Sequence, residues 1–204
     1  MITIVDYGLG NIRAFSNMYR RMNIEAGIAT NAAELAGARR IILPGVGAFD
    51  HAMELLQASG MRETLDALVL ERKVPVLGVC VGMQILAEGS DEGERPGLGW
   101  IPGRVRAFAS QAEAAGLPLP HMGWNDVTPV RETPLLKGLE QDARFYFLHS
   151  YFFECARPEA MAATTSYGVD FACVVQSGNV FGVQCHPEKS HHCGATLLKN
   201  FAEM

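Results

Sequence analysis

A cysteine between two glycines is the residue of this sequence best placed to do chemistry. Residues 75–84 read Pro-Val-Leu-Gly-Val-Cys-Val-Gly-Met-Gln, so an apolar strand leads into Gly-x-Cys-x-Gly and then into a helix. This is the nucleophile-elbow pattern with cysteine in place of serine, in which a sharp turn exposes the nucleophile at the end of its strand. The glycines permit the tight backbone, and the helix N-terminus favours the thiolate over the thiol. We therefore predict that Cys80 is a nucleophile; a buried structural cysteine is the alternative.

A cysteine nucleophile requires a base, and the sequence contains six histidines. His186 has the best context, because it follows a strand predicted over 179–184 and sites in open α/β sheets assemble at the carboxyl ends of strands. Glu188 is placed to orient the imidazole and to stabilise its protonated form. His121 and His149 remain competitors, and spacing alone does not choose among the three.

A turn rich in glycine offers the remaining part of an acyl-transfer site. Residues 44–47 read Pro-Gly-Val-Gly, follow a predicted strand and can present backbone N–H groups to an oxyanion. The N–H of Val81, at the start of the helix after the cysteine, is the natural second donor. Taken alone, the turn is equally explained as a simple connection to the helix that begins at Asp50.

These groups need a scaffold that brings strand ends together. In the first half of the chain, short apolar runs alternate with segments of helical period, which predicts a parallel sheet with helices on its faces. The strands predicted there are 2–5, 27–30, 41–43 and 76–79. The predicted helices are 11–23, a short one capped by Asn31 with Glu34, 50–58, 61–72 and 83–88.

The second half of the chain has a different pattern, with strands joined by short turns. The predicted strands are 100–108, 144–148, 162–165, 171–175 and 179–184, and a last helix is predicted at about 195–202. Part of the sheet should therefore be antiparallel. We expect one α/β domain over residues 1–204, with a mixed central sheet and helices on both faces.

Composition excludes several classes of protein. The 204 residues are 49% hydrophobic and 19% charged, which is typical of a globular chain. A net charge of −5 and Lys/Arg clusters no longer than a pair argue against nucleic acid as a partner. No apolar run approaches the roughly 18 residues of a membrane span, and the first residues lack the pattern of a signal peptide. Five scattered cysteines indicate reduced thiols, so we expect a cytoplasmic protein without a membrane partner.

Several segments taken together resemble one family. The motifs described above are similar to those of the triad, or class I, glutamine amidotransferases, which have a flavodoxin-like fold. The similarity is greatest to the glutaminase subunits of imidazole glycerol phosphate synthase. It covers the whole chain, and its characteristic segments are Asp-Tyr-Gly-Leu-Gly-Asn at 6–11, Pro-His-Met-Gly-Trp-Asn at 120–125, Phe-Tyr-Phe-Leu-His-Ser-Tyr at 145–151 and His-Pro-Glu-Lys-Ser at 186–190.

The resemblance implies a role for each matching position. It implies the nucleophile, its base and the residue that orients the base at Cys80, His186 and Glu188. It implies oxyanion-hole contributors at Gly47 and Val81. It implies contacts to substrate glutamine at Gln84, Glu92, His149, Ser150 and Tyr151. It implies an interface with a synthase partner at Asn11, Trp124 and Lys189, and it moves His121 to a partner-facing loop. Core packing is the alternative for Trp124.

The resemblance also implies an activity. Hydrolysis of L-glutamine to L-glutamate and ammonia would proceed through a thioester on Cys80, with neither a metal nor an organic cofactor. The ammonia would pass to a cyclase subunit in a heterodimer that serves histidine biosynthesis. The alternative is a paralogous glutaminase that supplies a surface-polysaccharide sugar amidotransferase, which residues 97–100 and 190–191 resemble. The intact triad disfavours a non-catalytic regulatory subunit, and the glutamine-binding positions disfavour a cysteine peptidase.

Two features depart from the family pattern or invite another interpretation. Cys185 stands where relatives usually carry phenylalanine, so a gap or different packing is expected there. Cysteines and histidines also cluster over 185–193. Their spacing lacks the paired half-sites of a zinc centre, and we expect no bound zinc.

Overall fold

A computed structural model describes residues 1–204. The strands are β1 (Ile2–Val5), β2 (Ala26–Ala29), β3 (Ile41–Gly45), β4 (Val76–Cys80), β5 (Gly89–Ser90), β6 (Gly103–Ala107), β7 (His121–Asp126), β8 (Thr128–Pro129), β9 (Arg144–His149), β10 (Tyr151–Cys155), β11 (Met161–Tyr167), β12 (Val169–Ser177) and β13 (Val180–Val183). The helices are α1 (Ile12–Arg21), α2 (Ala32–Leu35), α3 (Phe49–Ala58), α4 (Arg62–Asp66), α5 (Val81–Gln84) and α6 (His191–Glu203). No helix has the length and apolarity needed to cross a membrane.

Eleven strands form one mixed sheet. Its order is β2-β1-β3-β4-β13-β12-β10-β6-β5, with β11 beside β12 and β8 beside β11. Neighbours from β2 to β13 are parallel, whereas β12, β10 and β6 pair antiparallel. The mixed sheet predicted from the sequence is thereby confirmed. The order 2-1-3-4 is that of flavodoxin-like folds, which place their sites at the carboxyl ends of the strands.

The parallel strands lie in the middle of the core. β1, β3, β4 and β13 are buried along their whole length, as expected for parallel strands covered on both faces. Helix α1 contributes its buried residues Phe15 and Tyr19, and the Tyr19 hydroxyl donates to the Leu198 carbonyl in α6 at 3.3 Å. The buried hydrophobic side chains of both halves of the chain form one connected core.

A separate pair of strands covers the carboxyl edge of this sheet. β7 and β9 pair antiparallel, with His121 opposite His149. The Tyr146 carbonyl in β9 accepts from the His186 N–H at 2.8 Å, and the Leu148 carbonyl lies 3.9 Å from the Cys80 Sγ. The sequence prediction missed β7, and with it the strand pair that closes the site, and it also missed β10 of the main sheet.

Some element boundaries differ from those predicted. The helix predicted over 83–88 ends after one turn, because its next carbonyls are taken by distant N–H groups: Leu98 donates to Ile85 at 2.7 Å and Ile101 to Leu86 at 3.1 Å. The strand predicted over 100–108 begins only at Gly103, and the last helix begins at His191 rather than near 195. Helix α4 continues into a π-helical turn, Ala67–Glu71.

Candidate active site

The turn between β4 and α5 holds Cys80 in an unusual backbone conformation. Its φ is +56° and its ψ is −115°, values that a residue with a side chain rarely adopts outside functional turns. The glycines on either side permit this turn. A Cβ at Gly82 would collide with the Leu43 carbonyl of β3, and one at Gly78 with the Gly82 carbonyl. The sequence therefore builds a strand–turn–helix in which the backbones pack without side chains between them.

A buried histidine–glutamate pair lies beside this cysteine. His186 Nδ1 is 2.9 Å from Glu188 Oε1, and the two side chains are only 5% and 2% exposed. His186 Nε2 is buried without a hydrogen-bond partner of good geometry. Burial lowers the pKa of His186, but the attraction of Cys80 and Glu188 for the charged ring raises it more, to about 10. The arrangement favours a protonated imidazole beside the Cys80 sulfur.

Backbone N–H groups from two turns meet near Cys80. Gly47 lies in the turn after β3 with a φ of +94°, and no backbone carbonyl accepts from its N–H or from that of Val46. At the end of β3, Gly45 closes against Val81 and Gly82, leaving no room for a Cβ. The turn that carries Gly47 and the first turn of α5 are therefore in contact, as two donors to one oxyanion would have to be.

A cavity of about 300 Å³ opens in front of the cysteine. It brings together every residue predicted to bind glutamine, the two oxyanion-hole candidates, Cys80 and His186. Its walls are formed by Val46, Gly47, Cys80, Val81, Gln84, Glu92, Pro120, Leu148, His149, Ser150, Tyr151, His186 and Lys189. Glu188 stands behind His186, and neither Asn11 nor Trp124 reaches the cavity.

Two oxygen acceptors line one side of this cavity. Gln84 Nε2 donates to the Tyr151 carbonyl at 3.2 Å and to Gln184 Oε1 at 3.1 Å, so both of its N–H groups are used and only Oε1 remains for a ligand. The Glu92 carboxylate accepts from the Phe49 N–H at 2.9 Å. Burial raises the pKa of Glu92, and the Phe49 N–H opposes that shift. A carboxylate and an amide oxygen together suit the ammonium group of an amino acid.

Of the two central histidines, His149 borders the cavity as predicted, whereas His121 does not lie where it was predicted. However, His149 Nδ1 is 2.7 Å from the Tyr151 carbonyl and His149 Nε2 is 3.0 Å from His121 Nδ1, so the imidazole offers no free nitrogen to a ligand. The prediction that His121 lies in a partner-facing loop is wrong. His121 lies on β7, is 4% exposed and stacks between the rings of Phe147 and Tyr167, because this face of the strand packs on an aromatic cluster.

The predicted interface residues are exposed around the same edge of the sheet. Asn11 precedes α1 next to Gly10, which packs closely on Pro44 of the glycine-rich turn. Trp124 is 42% exposed on β7, so the core-packing alternative is wrong for this residue. Lys189 places its Nζ 5.6 Å from the ring centre of Tyr146, which in turn contacts Trp124.

The structure adds a polar residue that the sequence analysis missed. Gln184 is fully buried at the end of β13, accepts from Gln84 through Oε1 and directs its Nε2 to the Cys80 Sγ at 3.8 Å. The available signal was a glutamine at the end of an otherwise apolar strand, two positions before His186.

The cysteines and histidines of 185–193 disperse in the fold. Cys185 is buried in the core, and burial together with Cys173 and Glu188 keeps its pKa well above the usual range. Cys193 Sγ lies 3.3 Å from His192 Nε2, whereas His186 pairs with Glu188. No group of three or more His, Cys, Asp or Glu side chains has an arrangement that could hold a metal ion.

Comparison with known proteins identifies relatives over the full length. Residues 3–204 match the family model of glutamine amidotransferase class-I. Imidazole glycerol phosphate synthase subunit HisH of Bdellovibrio bacteriovorus is 63% identical over 204 residues, covering all of both chains. The protein of the same name from Leptospira borgpetersenii is 49% identical with the same coverage.

Solved structures agree on the fold. A crystal structure of a glutamine amidotransferase superposes with a TM-score of 0.77 at 20% identity, covering 99% of this chain and 97% of that one. A structure described as PurLQS from Thermotoga maritima superposes with a TM-score of 0.71 at 19% identity, covering 99% and 97%. Family model, relatives and fold together show that the chain belongs to the class-I glutamine amidotransferases and, within them, to the family of the HisH subunits of imidazole glycerol phosphate synthase.

Proposed function

We propose that the chain is the glutaminase subunit of an imidazole glycerol phosphate synthase and hydrolyses L-glutamine with Cys80, His186 and Glu188. One observation carries this assignment: a cysteine at positive φ faces a cavity next to an imidazole that a buried carboxylate orients. The 63% and 49% identical relatives, both named as HisH subunits of that synthase, favour the histidine pathway over amidation of a polysaccharide sugar.

The reaction follows from the arrangement of these groups. The Cys80 thiolate attacks the side-chain amide carbon of glutamine, and N–H groups of Gly47 and Val81 stabilise the tetrahedral oxyanion. The protonated imidazole of His186 gives its proton to the departing ammonia. The now neutral ring accepts a proton from water, which attacks the thioester carbon. Glutamate leaves and the thiolate is restored.

Glutamine is held by the polar wall of the cavity. Glu92 and the free Oε1 of Gln84 accept from its ammonium group, and residues 150–151 flank it. His149 contributes by holding the Tyr151 carbonyl rather than by touching the substrate, since both ring nitrogens are already engaged.

A cyclase subunit docks on the exposed edge around the cavity to form a heterodimer. Asn11, Trp124 and Lys189 are the contacts proposed from the family resemblance, and all three are exposed near the carboxyl edge of the sheet. Residues 1–204 act as one glutamine amidotransferase domain, in keeping with their single connected core. All five thiols are free, which suits the reducing cytoplasm.

Replacement of the nucleophile tests the assignment. We expect Cys80→Ala, assayed as glutamate release by the full chain with its synthase partner, to lose about 10⁴-fold or more in rate, as removal of a covalent nucleophile does. Cys155→Ala is the matched control, because that thiol is outside the cavity, and it should retain activity. Glutamate release by Cys80→Ala at the wild-type rate would refute the proposal.

A further inference from the structure

A chain of hydrogen bonds crosses the aromatic cluster behind the cavity. Asn125 Nδ2 lies 3.3 Å from His121 Nε2, His121 Nδ1 lies 3.0 Å from His149 Nε2, and His149 Nδ1 lies 2.7 Å from the Tyr151 carbonyl. We call these three side chains and this carbonyl the imidazole chain. Among these residues, only Tyr151 has a side chain that is free to contact a substrate.

The proton positions along the imidazole chain have one consistent arrangement. The Tyr151 carbonyl only accepts, so His149 Nδ1 carries the hydrogen and its Nε2 is an acceptor. That acceptor needs the hydrogen of His121 Nδ1, which leaves His121 Nε2 to accept from the Asn125 amide. An extra proton on either ring would set two donors against each other at one of these contacts.

The surroundings keep both rings neutral. The rings of Phe108, Phe147 and Phe171 contact both imidazoles. Burial lowers the pKa of His121 to about 4 and that of His149 to about 3. The bond directions derived from the neutral tautomers therefore apply at physiological pH.

The imidazole chain continues to the cavity through a shared carbonyl. Tyr151 O accepts from His149 Nδ1 and also from Gln84 Nε2 at 3.2 Å. Gln84 bonds onward to Gln184, which faces the Cys80 Sγ at 3.8 Å. The position of that carbonyl thus determines which atom of Gln84 is presented to the cavity.

We propose that His121, which does not reach the cavity, is a positioning residue for glutamine binding. Its Nδ1–H fixes the tautomer and orientation of His149, which holds the Tyr151 carbonyl and thereby keeps Gln84 Oε1 free for the substrate. Without that donor, His149 Nε2 is a buried acceptor with no partner, and the ring can change tautomer. An unprotonated Nδ1 would then face the carbonyl oxygen, acceptor against acceptor.

The kinetic test compares three variants of the full chain, each with its synthase partner. His121→Phe keeps a stacked ring but removes the donor; we expect KM for glutamine to rise about tenfold, the effect of one lost hydrogen bond, with kcat within about twofold. His121→Asn restores a donor near the Nδ1 position and should recover most of this loss. Phe171→Leu perturbs the same cluster outside the imidazole chain and should leave KM near wild type. An unchanged KM in His121→Phe, or an equal rise in Phe171→Leu, would overturn the proposal.

A second measurement needs no variant. Nitrogen-15 NMR of the imidazoles in the wild-type chain should show the Nδ1–H tautomer for both His121 and His149. An Nε2–H tautomer at His149 would overturn the proposal even if His121→Phe failed to fold. The kinetic part rests on the proposed function, but this measurement does not require glutamine hydrolysis. Failure of the glutaminase assignment would be seen as an active Cys80→Ala, so it can be distinguished from failure of the proposal for His121.

Discussion

At the scale of single residues, two neighbours of one imidazole, Cys80 and Glu188, outweigh the effect of its burial. Glu188 and His186 are almost completely buried and 2.9 Å apart. Burial alone would lower the pKa of His186; the neighbouring negative groups instead raise it to about 10. The imidazole therefore stays protonated across the neutral range, as a group that is proposed to give its proton to the leaving ammonia must be.

Loss of the charge on Glu188 should weaken this pairing. Glu188→Gln keeps the shape but removes the attraction, so the pKa of His186 falls and the alkaline limb of kcat/KM against pH moves to lower pH. We expect kcat to fall about 10²- to 10⁴-fold, the range seen when orienting and proton-transfer groups are removed from triads. Glu188→Asp, which keeps the charge, should shift the limb less. An alkaline limb that does not move in Glu188→Gln would contradict this account of His186.

Some residues of the site could be predicted from the local sequence and others could not. Cys80, His186 and Glu188 stand out because each occupies a strand end or follows one, which is visible in local sequence. The orientation of His149 is not, because its partner His121 lies 28 residues away and only the β7–β9 register brings them face to face. Gln184 was missed for the same reason: its contact with Cys80 spans 104 residues.

At the scale of elements, the elbow depends on the backbone contact between α5 and β3. We expect Gly82→Ala to destabilise the protein by at least about 2 kcal/mol, because the added methyl group overlaps the Leu43 carbonyl and has no flexible neighbour to displace. Urea unfolding measures this. Gly37→Ala, where a Cβ meets nothing within 4 Å, is the control and should stay within about 0.5 kcal/mol of wild type. Equal midpoints for the two variants would show that the contact is not tight.

Element prediction succeeded where the signal was local. Asn31 accepts from the Glu34 N–H at 3.0 Å and caps α2, and Glu34 bonds back to Thr30. It failed at residues 85–88, where apolar periodicity suggested more helix but N–H groups of 98–101 compete for the carbonyls. β7 was missed because half its residues are exposed and its pairing with β9 is long-range.

At the scale of the whole molecule, the buried neutral histidines make the free energy of unfolding depend on pH in the acidic range. In the unfolded chain a histidine titrates near about 6.5, whereas in the fold the pKa of His121 is about 4 and that of His149 about 3. Between those values the unfolded state binds more protons, so the contribution of these two histidines to stability is complete above about pH 7 and falls as the pH drops towards 4. We expect the urea midpoint to fall between pH 7 and pH 5, and to fall less in His121→Phe. His51→Gln, at an exposed histidine, should keep the wild-type dependence; a flat wild-type curve would contradict the prediction.

Assembly should control activity at this scale too. Ammonia released into water at neutral pH becomes ammonium, which is not nucleophilic, so direct transfer to a bound synthase avoids wasted glutamine. We expect low glutamate release by the chain alone and a rise when the cyclase subunit and its acceptor ligand are added, because the partner binds the competent state better. Trp124→Ala should reduce this stimulation, whereas Leu70→Ala, an exposed apolar residue in the turn before β4, should not. Equal rates with and without partner would mean an autonomous glutaminase, and stimulation only by a sugar amidotransferase would favour the paralogue.

The distribution of the five thiols makes the protein suited to selective covalent labelling. Cys80 is only 4% exposed but borders the cavity, whereas Cys173, Cys185 and Cys193 are buried away from it and burial raises the pKa of Cys155 to about 11. A small electrophile such as iodoacetamide should therefore add once per molecule at neutral pH, and bound glutamine should slow the addition. Mass spectrometry of the adduct would then count the catalytically competent fraction of any preparation, without an assay of turnover.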